Sequence, residues 1–291
     1  MKQVLHICSL HFVISFLFHL GSAENITVEY RLFANQDATN YISISPTNLG
    51  PFSYKPTLKY IILLHGWQAC IDDPAFATTT EAFMKHPQYV VIRAGYGDAL
   101  SDLLYFPDLE KVPLIGEQVG HLIETIHTQK NVPTTRFEVV GHSLGAHIAG
   151  KACSYVKHKV RSKCFRIFGL DPAAPGFTDP PLGLKKDDAL RTIVIHTSII
   201  GLSEPRGHLD FYPYDGISQG SCGDEHGGDH TIAYWYFTCS INGDCDKFIG
   251  YLCDDYWSFL FGDCEKQYSA SMGYWLNNDV KEGSYYLSPD C

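Results

Sequence analysis

The run Gly141-His142-Ser143-Leu144-Gly145 follows directly on the apolar segment Phe137-Glu138-Val139-Val140 and leads directly into a helix-patterned stretch, residues 146–153. A chain that passes from a buried strand into a helix within so few residues can turn only where side chains are small, and a glycine stands on either side of the Ser143 neighbourhood. The pattern G-x-S-x-G alone is a weak signal; its strand–turn–helix setting is what makes it specific. Such a turn lifts the serine hydroxyl to the carboxyl end of a sheet and points a helix N-terminus at it.

The rest of the chain fits that unit. Tyr60-Ile61-Ile62-Leu63-Leu64, Tyr89-Val90-Val91-Ile92, residues 165–170 and residues 191–195 read as short buried strands. Val119, Leu122, Ile123 and Ile126 fall at i, i+3, i+4 and i+7, one face of an amphipathic helix. Strands alternating with helices through short connections predict an α/β fold, a mostly parallel sheet with helices on both faces. After Cys222 the composition becomes rich in Cys, Asp, Trp and Tyr without a clear period, which predicts irregular, disulfide-fixed structure packed on the same core.

Met1-Lys2, an apolar run over residues 4–20 and the small residues Gly21-Ser22-Ala23 read as a secretory signal peptide, residues 1–23. Residues 24–291 are then expected to form one secreted, extracellular domain, with no transmembrane anchor. Loss of Lys2 takes the formal charge from −10 to −11, an acidic surface unsuited to nucleic acid. Nine cysteines remain outside the leader, and their spacing lacks the paired C-x-x-C ligands of structural zinc. In an oxidising compartment most are expected in disulfides, with one left over. Asn25-Ile26-Thr27 is a glycosylation sequon.

A serine hydroxyl becomes an effective nucleophile when a base takes its proton and a carboxylate orients the base. Asp171, in Gly169-Leu170-Asp171-Pro172, stands just past a strand and is the candidate carboxylate. The chain order Ser, Asp, His leaves His196, His208, His226 and His230 as bases. His196 ends a strand and reads as a core residue; spacing does not separate the other three.

Several motifs then occur in one order along the chain: Leu64-His65-Gly66-Trp67, Gly141-His142-Ser143-Leu144-Gly145-Ala146-His147, Gly169-Leu170-Asp171-Pro172-Ala173, Val194-Ile195-His196-Thr197, Gly207-His208-Leu209-Asp210-Phe211-Tyr212-Pro213, Met272-Gly273-Tyr274 and Ser284-Tyr285-Tyr286-Leu287. In these the chain resembles the pancreatic lipase family, and within it the short secreted lipases and A1-type phospholipases of arthropods. The resemblance implies an α/β-hydrolase fold and a carboxylic ester hydrolase that needs no cofactor. It implies Ser143 as nucleophile, Asp171 as orienting carboxylate and His230, ahead of Tyr234-Trp235-Tyr236-Phe237, as base. It also implies the backbone amides of Trp67 and Leu144 as oxyanion donors.

The departures from the family pattern are informative. The β-sandwich that follows the catalytic domain in larger members is not expected here, nor is colipase as a partner. Only Asp188 matches the acidic positions of a calcium cluster found in some members, so no metal is expected. The family's lid corresponds here to seven residues, 223–229, between Cys222 and His230. So short a polar stub, with the short 197–207 loop, favours phospholipid over triacylglycerol as substrate at a lipid–water interface. Cys253 with Cys264 and Cys153 with Cys164 are the disulfide pairs expected, and Cys222 is left to find a partner in Cys239 or Cys245.

Two rival readings come from other classes. One is a non-catalytic lipid-binding or yolk-like protein; loss of the serine or its partners would mark it, and all are retained. The other is a metal site built from Asp224, Glu225, His226, Asp229 and His230; Gly227-Gly228 opposes the helix that would set both histidines on one face.

Overall fold

The computed structural model describes residues 26–100, 105–178, 183–243, 248–276 and 280–289. The expected leader, Asn25, Cys245 and Cys291 lie outside the described residues. In chain order, the first half runs β1 (Glu29–Phe33), β2 (Ile42–Ile44), β3 (Lys59–Leu64), α1 (Pro74–Met84), β4 (Tyr89–Gly95), α2 (Tyr105–Asp108), α3 (Lys111–Lys130), β5 (Phe137–His142) and α4 (Leu144–Val160). The second half runs β6 (Cys164–Leu170), β7 (Ala189–Ile195), β8 (Leu209–Pro213), α5 (Gly220–Glu225), α6 (Ile232–Asn242), β9 (Ile249–Leu252), α7 (Tyr256–Phe261), β10 (Glu265–Ser271) and β11 (Gly283–Leu287).

Among the described residues eleven strands join one sheet in the order β10-β9-β11-β8-β7-β6-β5-β3-β4-β1-β2. The strands from β4 across to β11 run parallel, and antiparallel pairs occur only toward the two edges. The parallel strands read as continuous apolar runs because both faces are covered. Tyr60, Ile62 and Leu64 of β3 join the core beneath α3 and α4, while Ile61 and Leu63 join the core beneath α1 and α6. Helix α3 lies close on α4 because Gly116 and Gly120 face it. A Cβ on Gly116 would sit 2.4 Å from the Lys151 Cβ, and one on Gly120 2.9 Å from the Ala152 carbonyl oxygen. This is the α/β-hydrolase fold.

The C-terminal part departs from the irregular structure expected of it. It supplies α6 and three strands of the main sheet, β9 to β11. Helix α6 shows no amphipathic period because it is buried around most of its circumference, through Ile232, Ala233, Tyr234, Tyr236, Phe237 and Ile241. Arg93 lies within β4; its Nε donates to Thr80 Oγ1 at 2.8 Å and its guanidinium stacks over the Phe33 ring.

Cys253 and Cys264 are bridged, closing the loop that carries α7. Cys70, Cys222 and Cys239 are also disulfide-bonded. The expected Cys153–Cys164 bridge is a correction: both are fully buried free thiols, one on α4 and one opening β6. They share a hydrogen bond, and burial raises the Cys153 thiol well above its ordinary value, which keeps it protonated.

Candidate active site

The turn between β5 and α4 holds Ser143 at φ 55°, ψ −122°, a left-handed conformation that a non-glycine residue adopts only when its surroundings impose it. The surroundings are backbone. A Cβ on Gly141 would lie 2.1 Å from the Gly145 carbonyl oxygen, and one on Gly145 would lie 2.3 Å from the Leu64 carbonyl oxygen. The two glycines therefore let α4 start directly against β5 and β3. Ser143 N donates to Leu170 O at 3.0 Å, tying the turn to the end of β6. Leu144 opens α4, so its amide is among those with no acceptor inside the helix.

Asp171 follows β6 immediately and is completely buried. Its Oδ1 accepts from the backbone amides of Thr197 at 2.8 Å and Ser198 at 3.2 Å. Its Oδ2 accepts from His230 Nδ1 at 2.6 Å and from the Ser198 hydroxyl. The carboxylate thus takes four donors, which fix its orientation toward His230. Gly201 closes over it, since a Cβ there would come 2.3 Å from Oδ1.

With Nδ1 committed to Asp171, the Nε2 of His230 is the nitrogen placed to exchange a proton. The backbone of His230 is fixed as well: His142 Nε2 donates to its carbonyl oxygen at 2.8 Å, and the two rings lie 4.4 Å apart. Burial, together with the nearby His230, pushes His142 down to about 3, so it is a neutral donor at ordinary pH. Ser143, His230 and Trp67 all line one cavity of about 610 Å³.

The His65-Gly66-Trp67 segment is held against the serine. Gly66 has no room for a side chain, since its Cβ would meet the Ser143 Cβ at 2.9 Å. His65 stacks on Tyr96 at 4.0 Å, accepts from Tyr96 N at Nε2 and donates from Nδ1 to Gly66 O. Burial lowers it to about 4, so the neutral tautomer is locked. Trp67 is anchored by its indole Nε1, which donates to Asp108 Oδ2 at 3.0 Å.

The other histidines go elsewhere. His196 is buried with Nε2 donating to Asp210 Oδ1 at 2.9 Å. His208 accepts from Thr192 N at Nδ1. His226 lines the cavity but stacks on Trp235 at 4.2 Å. Among the described residues no group of His, Cys, Asp and Glu is arranged to hold a metal ion. Asp229, one member of the rival metal set, accepts from Gln219 N at 2.7 Å.

Ser198, Gly201 and Gln219 were not legible as site residues. Gln219 is buried and joins three segments: its Nε2 donates to Thr197 O and Pro213 O, and its Oε1 accepts from Tyr236. Only for Ser198 was there a sequence signal, a hydroxyl one position beyond a strand-ending His-Thr pair.

The family model described as Lipase matches residues 18–289, nearly the whole chain. The chain belongs to the lipase family. Guinea-pig (Cavia porcellus) pancreatic lipase-related protein 2 is 26% identical over 254 residues, covering 83% of this chain and 57% of that protein. Pancreatic triacylglycerol lipase of the same species is 28% identical, covering 82% of this chain and 57% of that protein. Mouse (Mus musculus) lipase member H is 28% identical, covering 82% of this chain and 54% of that protein. The chain thus spans little more than half the length of these lipase-family relatives. Among the described residues no helix is long and apolar enough to cross a membrane.

Proposed function

We propose that the chain is a secreted serine carboxylester hydrolase acting on lipids, an A1-type phospholipase that releases the sn-1 fatty acid through an acyl-enzyme on Ser143. The observation that carries this is the Asp171–His230 pair at 2.6 Å, opening on the cavity that Ser143 also lines. In this reading His230 Nε2 takes the Ser143 proton as Oγ attacks the ester carbonyl. Asp171 orients the imidazole and stabilises the imidazolium that forms. The Leu144 amide, at the start of α4, and the Trp67 amide receive the oxyanion, each worth on the order of 100- to 1000-fold in rate. His230 then returns the proton to the leaving alcohol, and water repeats the cycle to free the acid.

The preference for phospholipid rests on what covers the cavity. Residues 223–229 form the last turns of α5 and a tight return into α6, pinned by the Asp229–Gln219 bond. They carry Asp224, Glu225 and Asp229 and no large apolar side chain, so they lack the surface with which a lid binds a neutral fat droplet. Secretion is supported by the leader-like residues 1–23 and by the disulfides.

Triacylglycerol hydrolysis is the second reading, favoured by the relative named pancreatic triacylglycerol lipase. Incubation with phosphatidylcholine vesicles and, separately, emulsified triolein decides between them. Expected is fatty acid from the sn-1 position with 2-acyl lysophosphatidylcholine, lost in Ser143→Ala. Triolein cleavage alone would establish the second reading; inactivity on both would leave a lipid-binding protein.

A further inference from the structure

Among the described residues, the lining of the cavity at Ser143 and His230 holds one carboxylate, Asp73, and no lysine or arginine. Asp73 caps α1: its Oδ1 accepts from Ala75 N at 2.8 Å, while Oδ2 has no hydrogen-bond partner among the described residues. A cap does not require charge, since Asn and Ser serve there as well as Asp. The charge is also disfavoured where it stands, because partial burial raises the Asp73 carboxyl above its ordinary value. An unpaired, half-desolvated anion in the wall of a substrate cavity is a counter-ion without its cation.

The other walls suit the same ligand. Trp235 and His226 lie stacked at 4.2 Å and 18° and both line the cavity, as do Tyr234 and Trp67. Aromatic faces attract quaternary and primary ammonium groups, the more so where water is partly excluded. The volume, about 610 Å³, is that of a small-molecule site.

Resting on the phospholipid reading above, we propose that this cavity seats the ammonium group of a choline or ethanolamine headgroup, with Asp73 as its counter-ion and Trp235 as an aromatic wall. Phospholipids whose headgroups are neutral or anionic beyond the phosphate gain nothing from Asp73 and meet its repulsion.

The test uses monomeric dihexanoyl phosphatidylcholine and dihexanoyl phosphatidylglycerol, below the concentrations at which they aggregate, so that surface charge plays no part. Cleavage of p-nitrophenyl butyrate normalises each preparation for folded, active enzyme. The wild-type chain is expected to prefer the choline lipid, and Asp73→Asn, which keeps the cap, to lose that preference by on the order of ten-fold in the kcat/KM ratio. Trp235→Leu is expected to move the ratio in the same direction, and serves where Asp73→Asn does not fold. A ratio unchanged in a folded variant, or no choline preference in the wild type, overturns the headgroup site alone. Cleavage of the nitrophenyl ester with neither phospholipid attacked overturns the phospholipid reading and this site with it.

Discussion

Replacing Gly145 by alanine sets two effects of opposite sign against each other. In an ordinary helix the change is stabilising by about 1 kcal/mol, because glycine is the poorer helix former. Here the new Cβ would lie 2.3 Å from the Leu64 carbonyl oxygen and 2.6 Å from that of His65, where ordinary contact begins at 3.4 Å. Backbone atoms of β3 and the segment after it cannot swing aside like a flexible side chain, so α4 must shift by about 1 Å. That shift carries Ser143 and the Leu144 amide away from Trp67 and His230. A displacement of about 1 Å in a reacting group costs on the order of 100-fold, or roughly 2.7 kcal/mol of transition-state stabilisation. The assay is kcat/KM on a soluble ester, with circular dichroism and thermal midpoint on the same preparation. A folded Gly145→Ala protein with wild-type kcat/KM and a raised midpoint would refute the claim that backbone contact at this glycine fixes the nucleophile.

Ser198→Ala removes a donor that holds the Asp171 carboxylate in place. Initial rates on a soluble ester should show kcat/KM lowered by about ten-fold in a folded variant, and an unchanged value would show that Ser198 does not position Asp171. Glu138→Ala strands the Arg166 guanidinium, which Glu138 holds at 2.7 Å between the rings of Phe168 and Tyr274; denaturant unfolding should show a loss of about 3–5 kcal/mol. Burial lowers His65 to about 4 and His142 and His147 to about 3, so the unfolded chain binds more protons than the folded one between those values and about 6.5. Stability is then full above about pH 6.5 and falls as pH drops through this window, by about 1.4 kcal/mol per unit for each histidine. Urea titrations at pH 7, 6 and 5 check the slope; a midpoint that does not move over that range would contradict it.

The parts of the fold that could be read from the sequence are those whose period survives burial. The apolar runs of β3, β4, β5 and β6 mark a parallel sheet because both faces are covered, and α3 keeps a clear stripe because one side meets solvent. Helix α6 was missed because it is apolar nearly all round. Strands β1, β2, β9 and β10 were missed because they lie toward the sheet edges, where partners rather than pattern decide the structure. Ser143 and Asp171 could be proposed from motif and chain order, His230 only through the family resemblance, and the residues packed around Asp171 not at all. Ser198 and Gly201 reach Asp171 only because the chain after β7 folds back over the end of β6. Apart from the hydroxyl that follows His196-Thr197, nothing in their own sequence neighbourhood reports that return. The Cys153–Cys164 bridge, expected because it would close the loop between helix and strand, shows the converse: closeness in space fixes contact between two thiols, not their bonding.

The central claim is that Ser143, and no other residue, is the nucleophile made reactive by His230 and Asp171. Incubation with a lipid-like fluorophosphonate, followed by mass spectrometry of the intact chain and its peptides, tests it most directly. One adduct per chain, located on Ser143, blocking hydrolysis and formed far more slowly in Asp171→Asn, is the result expected. An unlabelled Ser143 in an active preparation, or full labelling with Asp171 replaced, would contradict it.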